Sequence, residues 1–302
     1  MLKYIITDVN GKQTTFYKPF SMNIVSSLDA PADSMKASFF VQGNIPVIYS
    51  VKVYSKSKIL FYGFVDEQTE RMIKNGYILE IKARSMASLL LDNEAQPLTY
   101  CLPTIDMLFE RHFKTLGFKG YIGSADALNG NLTITKGMSE WDVLENFCRL
   151  KNGSHPFVTN DGYINTGETK SENVIFLSGR MSISRIFKRS VIISDIYSRI
   201  NPNGDYSMHT VNPEAVSNGI IRKRCFNMAD RNRKCSMMPE EITALSNRKA
   251  KSYIIGFENI ADCGRGDRIV VSKIDEKLII KEIHFITDSK GEKTAIYAEV
   301  DE

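Results

Sequence analysis

A chain of 302 residues with 43% hydrophobic and 25% charged side chains is large enough for two or three cored domains and too apolar to be disordered. No run of about 18 apolar residues occurs, so no transmembrane helix is expected, and residues 1–8 place Thr7 and Asp8 where a signal peptide needs an apolar core; a chain made and kept in the cytoplasm is expected. The net charge of +4 hides an asymmetry, because residues 180–251 hold 14 Lys and Arg against six Asp and Glu while the remainder holds 25 against 29.

Residues 1–94 read as strands. Tyr4 and Ile6 alternate with Lys3, Ile5 and Thr7, and Asn10-Gly11 is a hairpin signal. The turn-rich stretch 29–33 precedes a strand over 35–41, and the chain breaks again at 43–46. Two β-branched and aromatic runs follow at 47–54 and 59–65. After Asn75-Gly76, the alternation of Tyr77, Leu79, Ile81 and Ala83 gives way to helical spacing at Met86, Leu89 and Leu90, which Asp92-Asn93-Glu94 ends. About six short strands with tight turns suggest a small barrel or sandwich.

Residues 95–180 read as a mixed α+β module. Thr104 is placed to cap a helix whose apolar stripe is Ile105, Leu108, Phe109, His112, Phe113 and Leu116, ended by Gly117. A second helix has Ser139 as cap and Asp142 at the capping-box offset, with Trp141, Leu144, Phe147 and Cys148 on its apolar side. Asn160-Asp161-Gly162 is a hairpin turn, and 174–177 a strand.

Residues 181–302 return to strands around a helical insertion over about 205–251. A long strand is expected over 191–200, ended by Asn201-Pro202-Asn203-Gly204, with an exposed excursion at 213–219. Pro239-Glu240-Glu241 opens a helix in the order its dipole favours, and Arg248, Lys249 and Lys251 close it. A meander over 253–257, 268–272, 277–285 and 294–300 completes the chain. The fold class read from these patterns is α+β, mostly β, with β blocks at 1–94 and 181–302 flanking the module at 95–180.

Chemistry-bearing residues do not gather into a site. Five irregularly spaced cysteines suit free thiols, and a zinc site from His209, Cys225 and Cys235 lacks the close ligand pairs of metal fingers. Cys101 and His155 are 54 residues apart, but Cys101 has no thiolate-stabilising neighbourhood and reads as a buried small hydrophobe. His112 on the apolar stripe reads as a satisfied core histidine, and Glu140, Asp142 and Glu145 as acids at a helix N-terminus. Gly264-Arg265-Gly266-Asp267 reads as a turn, residues 162–167 as a hairpin without a nucleotide-loop pattern, and Asn131-Leu132-Thr133 as an acceptor motif without consequence. No catalytic residue, metal ligand or cofactor site is expected.

Three segments carry a family likeness. They are the strand-to-helix passage 76–100 with Asn93-Glu94-Ala95-Gln96-Pro97, the helix opening Lys136-Gly137-Met138-Ser139 followed by Val143-Leu144, and Gly264-Arg265-Gly266-Asp267 before 268–271. In this order the chain resembles the baseplate hub proteins of contractile phage tails and phage-tail-like bacteriocins, of the Mu-like, late control D type. The resemblance implies tail-tube-like β-barrels at 1–94 and 181–302, and a homotrimer presenting six barrels. Such a trimer joins the sixfold tail tube protein to the threefold central spike protein beside other baseplate proteins. It also implies synthesis in the bacterial host cytoplasm and assembly into a virion tail or tail-like particle. No lysozyme-like insertion or appended spike is expected, so those functions would belong to other chains.

Three rival readings stand beside it: a distal-tail hub of a non-contractile phage, a tail-associated cell-wall hydrolase, and a nucleic-acid-binding module. The hydrolase lacks an activated nucleophile, and the basic block lacks the aromatic interleaving of single-strand binders, so no sequence-specific nucleic acid is expected. Arg222, Lys223 and Arg224 are expected to pack on a neighbouring subunit or baseplate protein presenting acids.

Overall fold

The computed structural model describes residues 2–43, 45–167, 174–177, 180–188, 192–201, 203–227, 238–272 and 274–301. It is mostly β with short helices, the α+β class expected, and it divides into two compact units. The first comprises residues 1–172, 257–265 and 282–295, and the second 173–256, 266–281 and 296–302.

The first unit opens with strands β1 (Leu2–Asp8), β2 (Gln13–Phe16), β3 (Ser21–Ser27), β4 (Ser34–Val41), β5 (Ile48–Ser55), β6 (Lys58–Ile73) and β7 (Gly76–Ser85). They pair antiparallel in the order β2-β1-β5-β6-β7-β4-β3, and residues 282–287 add along β3. Gly11, at φ +81°, makes the expected β1–β2 turn. Strand β3 has no counterpart in the sequence reading, although Met22 and Ile24 alternate with exposed Ser21 and Asn23.

Alternation places Tyr4, Met22, Ile24, Met35, Phe39, Val51, Val53, Phe61, Leu79 and Ile81 in one core. Tyr4 and Phe39 lie on strands with β5, β6 and β7 between them in the pairing order, yet their ring centroids are 5.3 Å apart. A flat sheet would separate such strands by about 19 Å, so this sheet curls around its aromatic centre. Close approach on β6 requires a glycine: a Cβ on Gly63 would lie 2.1 Å from the Arg84 carbonyl oxygen. Past a register shift between Val65 and Glu67, β6 and β7 stay paired to Ile73 and Gly76, with β4 on the other side of β7 as far as Tyr77.

Residues 86–167 form a helical module within the same unit. Its elements are α1 (Ser88–Asp92), β8 (Leu98–Cys101), α2 (Ile105–Leu108), β9 (Gly120–Ile122), β10 (Asn131–Ile134), α3 (Glu140–Asn152), β11 (Phe157–Val158) and β12 (Tyr163–Asn165). The helix expected from Thr104 to Gly117 is not uniform. Its α-helical turn at Ile105–Leu108 widens to a π-turn over Phe109–Phe113, then tightens to a 3-10 turn over Lys114–Leu116. Phe109, His112 and Phe113 are all buried within the wide turn.

Helix α3 starts as its sequence dictates. Ser139 Oγ accepts from the Asp142 amide at 3.1 Å, and the Asp142 carboxylate accepts from the Ser139 amide at 3.0 Å. Leu90, Leu108, Phe113, Leu132, Ile134, Leu144 and Phe147 make the core of the module, and Tyr62 and Phe64 from β6 pack against it.

The second unit contains β13 (Val174–Leu177), β14 (Met181–Lys188), β15 (Asp195–Arg199), β16 (Met208–Val211), α4 (Pro213–Ser217), β17 (Lys223–Asn227) and α5 (Pro239–Arg248). It also takes residues from β18 (Lys251–Phe257), β19 (Arg268–Val271), β20 (Leu278–Asp288) and β21 (Gly291–Val300). Tyr253, Ile255, Ile269, Val271, Leu278, Ile280, Ile296 and Ala298 are its buried sheet residues. At its edge Arg268 Nε meets Asp301 Oδ2 at 2.6 Å.

A separate three-stranded sheet, in the order β16-β15-β17, carries the insertion. The long strand expected over 191–200 is shorter, because pairing begins at Asp195, and residue 191 lies outside the described residues. The excursion expected at 213–219 is largely exposed, and its first residues form α4. Pro213 opens it, Ala215 is buried, and the adjoining Asn212 donates to the Ile193 carbonyl at 2.8 Å. Helix α5 starts at Pro239 as expected, and Glu241 accepts from the Met238 amide at 2.9 Å.

Candidate functional site

The basic run falls at the start of β17. Arg222, Lys223 and Arg224 are all exposed, and Ile221 beside them is the most exposed large apolar residue among those described, at 82%. Strand β17 pairs in parallel with β15, placing Lys223 opposite Asp195, Arg224 opposite Ile196 and Cys225 opposite Tyr197. Ile196 and Ser198 are buried on one face. The other face carries Asp195, Tyr197, His209, Lys223 and Cys225.

That outer face is a polar ladder. Tyr197 and His209 stack with centroids 4.4 Å apart and planes 3° from parallel. His209 Nε2 lies 2.8 Å from Asp195 Oδ1, and the Ser194 hydroxyl donates to Asp195 Oδ2 at 2.6 Å. The Ser194 hydroxyl and then His209 hold the Asp195 carboxyl below its ordinary range. Lys223 Nζ stands 5.8 Å from the Tyr197 ring centroid, and the Arg199 guanidinium 4.7 Å from that of Tyr206. Aromatic rings therefore do accompany the cations, a feature invisible in sequence because strand pairing rather than spacing brings them together.

Among the described residues, the zinc candidates His209 and Cys225 are not neighbours. Tyr197 separates His209 from Cys225 across the sheet, a gap of roughly 9.5 Å at two strand spacings. Cys235 lies outside the described residues. Among the described residues no three His, Cys, Asp or Glu side chains group as metal ligands.

Other candidates resolve individually. Cys101 is exposed, not buried as expected, because β8 places Tyr100 inward and its neighbours outward. His155 is an exposed side chain 3.9 Å from Glu145. His112 is a buried core histidine, as expected, with Tyr100 Oη 2.9 Å from its Nε2 and Glu140 Oε2 2.8 Å from its Nδ1. Burial pushes the Tyr100 hydroxyl up from its ordinary value. Glu140 thus has a partner as well as a helix dipole, and the link to Tyr100 had no sequence signal.

Arg265 of the Arg-Gly-Asp triplet is committed inside the first unit. Its Nη1 donates to the carbonyls of Ser27 at 2.9 Å and Ala30 at 3.0 Å, and lies 2.9 Å from Asp33 Oδ1. Residues 162–167 belong to the hairpin expected, supplying the strand that pairs with Phe157–Val158, with the Gly162 amide donating to the Thr159 carbonyl.

A mostly β chain of this design, with a curled sheet, a packed helical module and a second β unit, has the fold of phage tail proteins. It superposes on the 43 kDa tail protein of prophage MuSo2 from Shewanella oneidensis with a TM-score of 0.77 at 13% identity, covering 99% of each chain. It is similar also to the tail protein of Neisseria meningitidis MC58, with a TM-score of 0.71 at 16% identity over 99% of this chain and 97% of that one. An E. coli type VI secretion component, described as structurally similar to T4 phage tail proteins gp27 and gp5, matches at 0.53 and 9% identity over 94% of this chain and 74% of its own. No family model matches the chain, and no curated protein matches it by sequence. Among the described residues no helix is long and apolar enough to cross a membrane.

Proposed function

We propose that this chain is a structural hub of a phage-tail or phage-tail-like baseplate, working by assembly rather than catalysis. The observation that carries the reading is the fold shared with two tail proteins over at least 97% of every chain involved. In this reading residues 1–94, with 257–265 and 282–295 lent from the C-terminal block, supply one tube-like barrel, the rest of 181–302 supplies the other, and the module at 95–180 lies between them in sequence. Three copies form a ring joining a sixfold tail tube to a threefold spike in a contractile particle. Such a ring uses heterologous contacts that close on themselves.

Arg222, Lys223 and Arg224 make one of the contacts, on a neighbouring subunit or a baseplate protein presenting acids. Exposed ion pairs contribute about 0–1 kcal/mol each, so the run sets partner choice and register more than affinity. Negative-stain imaging of the purified protein tests the reading: a threefold ring supports it, and a compact monomer at assembly concentrations overturns it. Charge reversal at all three positions should block particle assembly while the isolated chain stays folded.

A further inference from the structure

The basic run does more than decorate a surface, because it lies along a strand that is paired on one side only among the described residues. Strand β17 is terminal in its sheet and pairs only with β15 among the described residues. The Arg222 amide donates to Ser194 Oγ at 2.8 Å and its carbonyl accepts from the Ser194 amide at 2.9 Å, so Arg222 turns its backbone toward β15. Backbone polarity alternates along a strand, so Lys223 and Cys225 turn theirs to the opposite edge. No strand among the described residues occupies that edge, where the Lys223 carbonyl accepts instead from the Arg224 guanidinium Nη1 at 3.0 Å. Cys225 is exposed beside it.

We propose that the outer edge of β17 receives an extended acidic segment of another protein chain, which adds as a fourth strand to the β16-β15-β17 sheet. The inference rests on the reading of this chain as one part of an assembly, and it names the binding mode and the chemistry of that partner. Main-chain hydrogen bonds hold an added strand, and side chains on alternate positions select it. Here selection is by charge. Residues 180–251 carry 14 basic against six acidic side chains, and Asp195 on the nearby face is already occupied by Ser194 and His209. An apolar or basic strand would bring no acid to exposed Arg222, Lys223 and Arg224, whereas an acidic one matches them. Exposed Ile221, just before the start of β17, gives such a segment an apolar anchor.

The 302-residue chain can be titrated with a fluorescent decapeptide of alternating Glu and Val. The same titration uses its fully N-methylated counterpart, an alternating Lys and Val peptide, and a thymidine 20-mer. Binding of the Glu-Val peptide, at least tenfold weaker after N-methylation and absent for Lys-Val, is the result expected. Slower amide exchange at Lys223 and Cys225 in the complex should accompany it. Combined Arg222→Gln, Lys223→Gln and Arg224→Gln substitution, in protein with an unchanged circular dichroism spectrum, should weaken the peptide at least tenfold.

Equal binding of the N-methylated peptide would overturn strand addition, because charge alone would then suffice. Equal binding of the thymidine 20-mer would overturn it in favour of a general polyanion surface. No binding of Glu-Val at millimolar peptide would overturn it outright. A monomer that binds the peptide sinks the hub reading and leaves this one, and a threefold ring that does not bind it does the reverse.

Discussion

Arg265 and Asp33, 232 positions apart in sequence, meet at 2.9 Å with side chains only 12% and 8% exposed. The contact fastens residues 257–265 to the loop between β3 and β4 inside the first unit. Asp33 is itself held by its neighbours, since its amide donates to Ser85 Oγ at 2.9 Å and its carbonyl accepts from the Ser85 amide at 2.8 Å. Removing one member of a buried ion pair leaves the other uncompensated, at a cost of about 3–5 kcal/mol. Arg265→Ala should therefore lower the unfolding free energy by that order in urea titrations. A loss below roughly 0.5 kcal/mol, the range of a plain surface substitution, would show that the pair is not a fastening.

The same carboxyl gives a pH dependence. Burial, opposed by Arg265 and by a hydrogen bond from Ser26, holds the Asp33 carboxyl above its ordinary value. A raised folded value means the folded state binds the proton more tightly. The resulting stabilisation is complete below the ordinary carboxylate value and is lost as pH rises through the folded one. Wild-type stability should fall across that window, and Asp33→Asn should remove that part of the slope. Identical pH profiles for the two proteins would refute the assignment.

Gly63 offers a test of the curled sheet. A Cβ there would sit 2.1 Å from the Arg84 carbonyl oxygen and 2.8 Å from the Phe61 ring, and neither backbone nor buried ring can yield cheaply. Overpacking of this kind costs about 1–3 kcal/mol. Gly63→Ala should lower the thermal midpoint, whereas Gly43→Ala, on a turn with nothing within 4 Å, should show only the smaller strain of its φ of +90°. Equal shifts for the two would contradict the close approach.

Local chemistry was the legible part of this chain. The Ser139 and Asp142 capping box, the Asn10-Gly11 turn and the Pro239 helix start each depend on a few consecutive residues, and each is present. Non-local contacts were not legible. Nothing in the spacing of Tyr4 and Phe39 reports that the sheet brings their rings together, nor that Tyr197 stacks on His209 beside Lys223. Strand β3 was hidden by its serines and asparagine, which mask the alternation of Met22 and Ile24. The basic run of the candidate site was readable as charge, but its position on a strand paired on one side only among the described residues follows only from the pairing of β15 and β17.

His112 provides the last test, since it joins three elements of the helical module. It sits in the π-turn, with Glu140 at the start of α3 on one ring nitrogen and Tyr100 from β8 on the other. His112 is 3% exposed and the Glu140 side chain 12%, so neither partner regains full hydration if the imidazole is removed. A buried polar group left without its partner costs about 1–3 kcal/mol. His112→Leu, similar in size but unable to bond, should destabilise the protein by that order, and Tyr100→Phe by about 1 kcal/mol because only one hydrogen bond is lost. The two changes should be less than additive, since both remove the same bond. A double-mutant cycle by chemical denaturation measures this directly, and strict additivity would show that the tyrosine and histidine act independently.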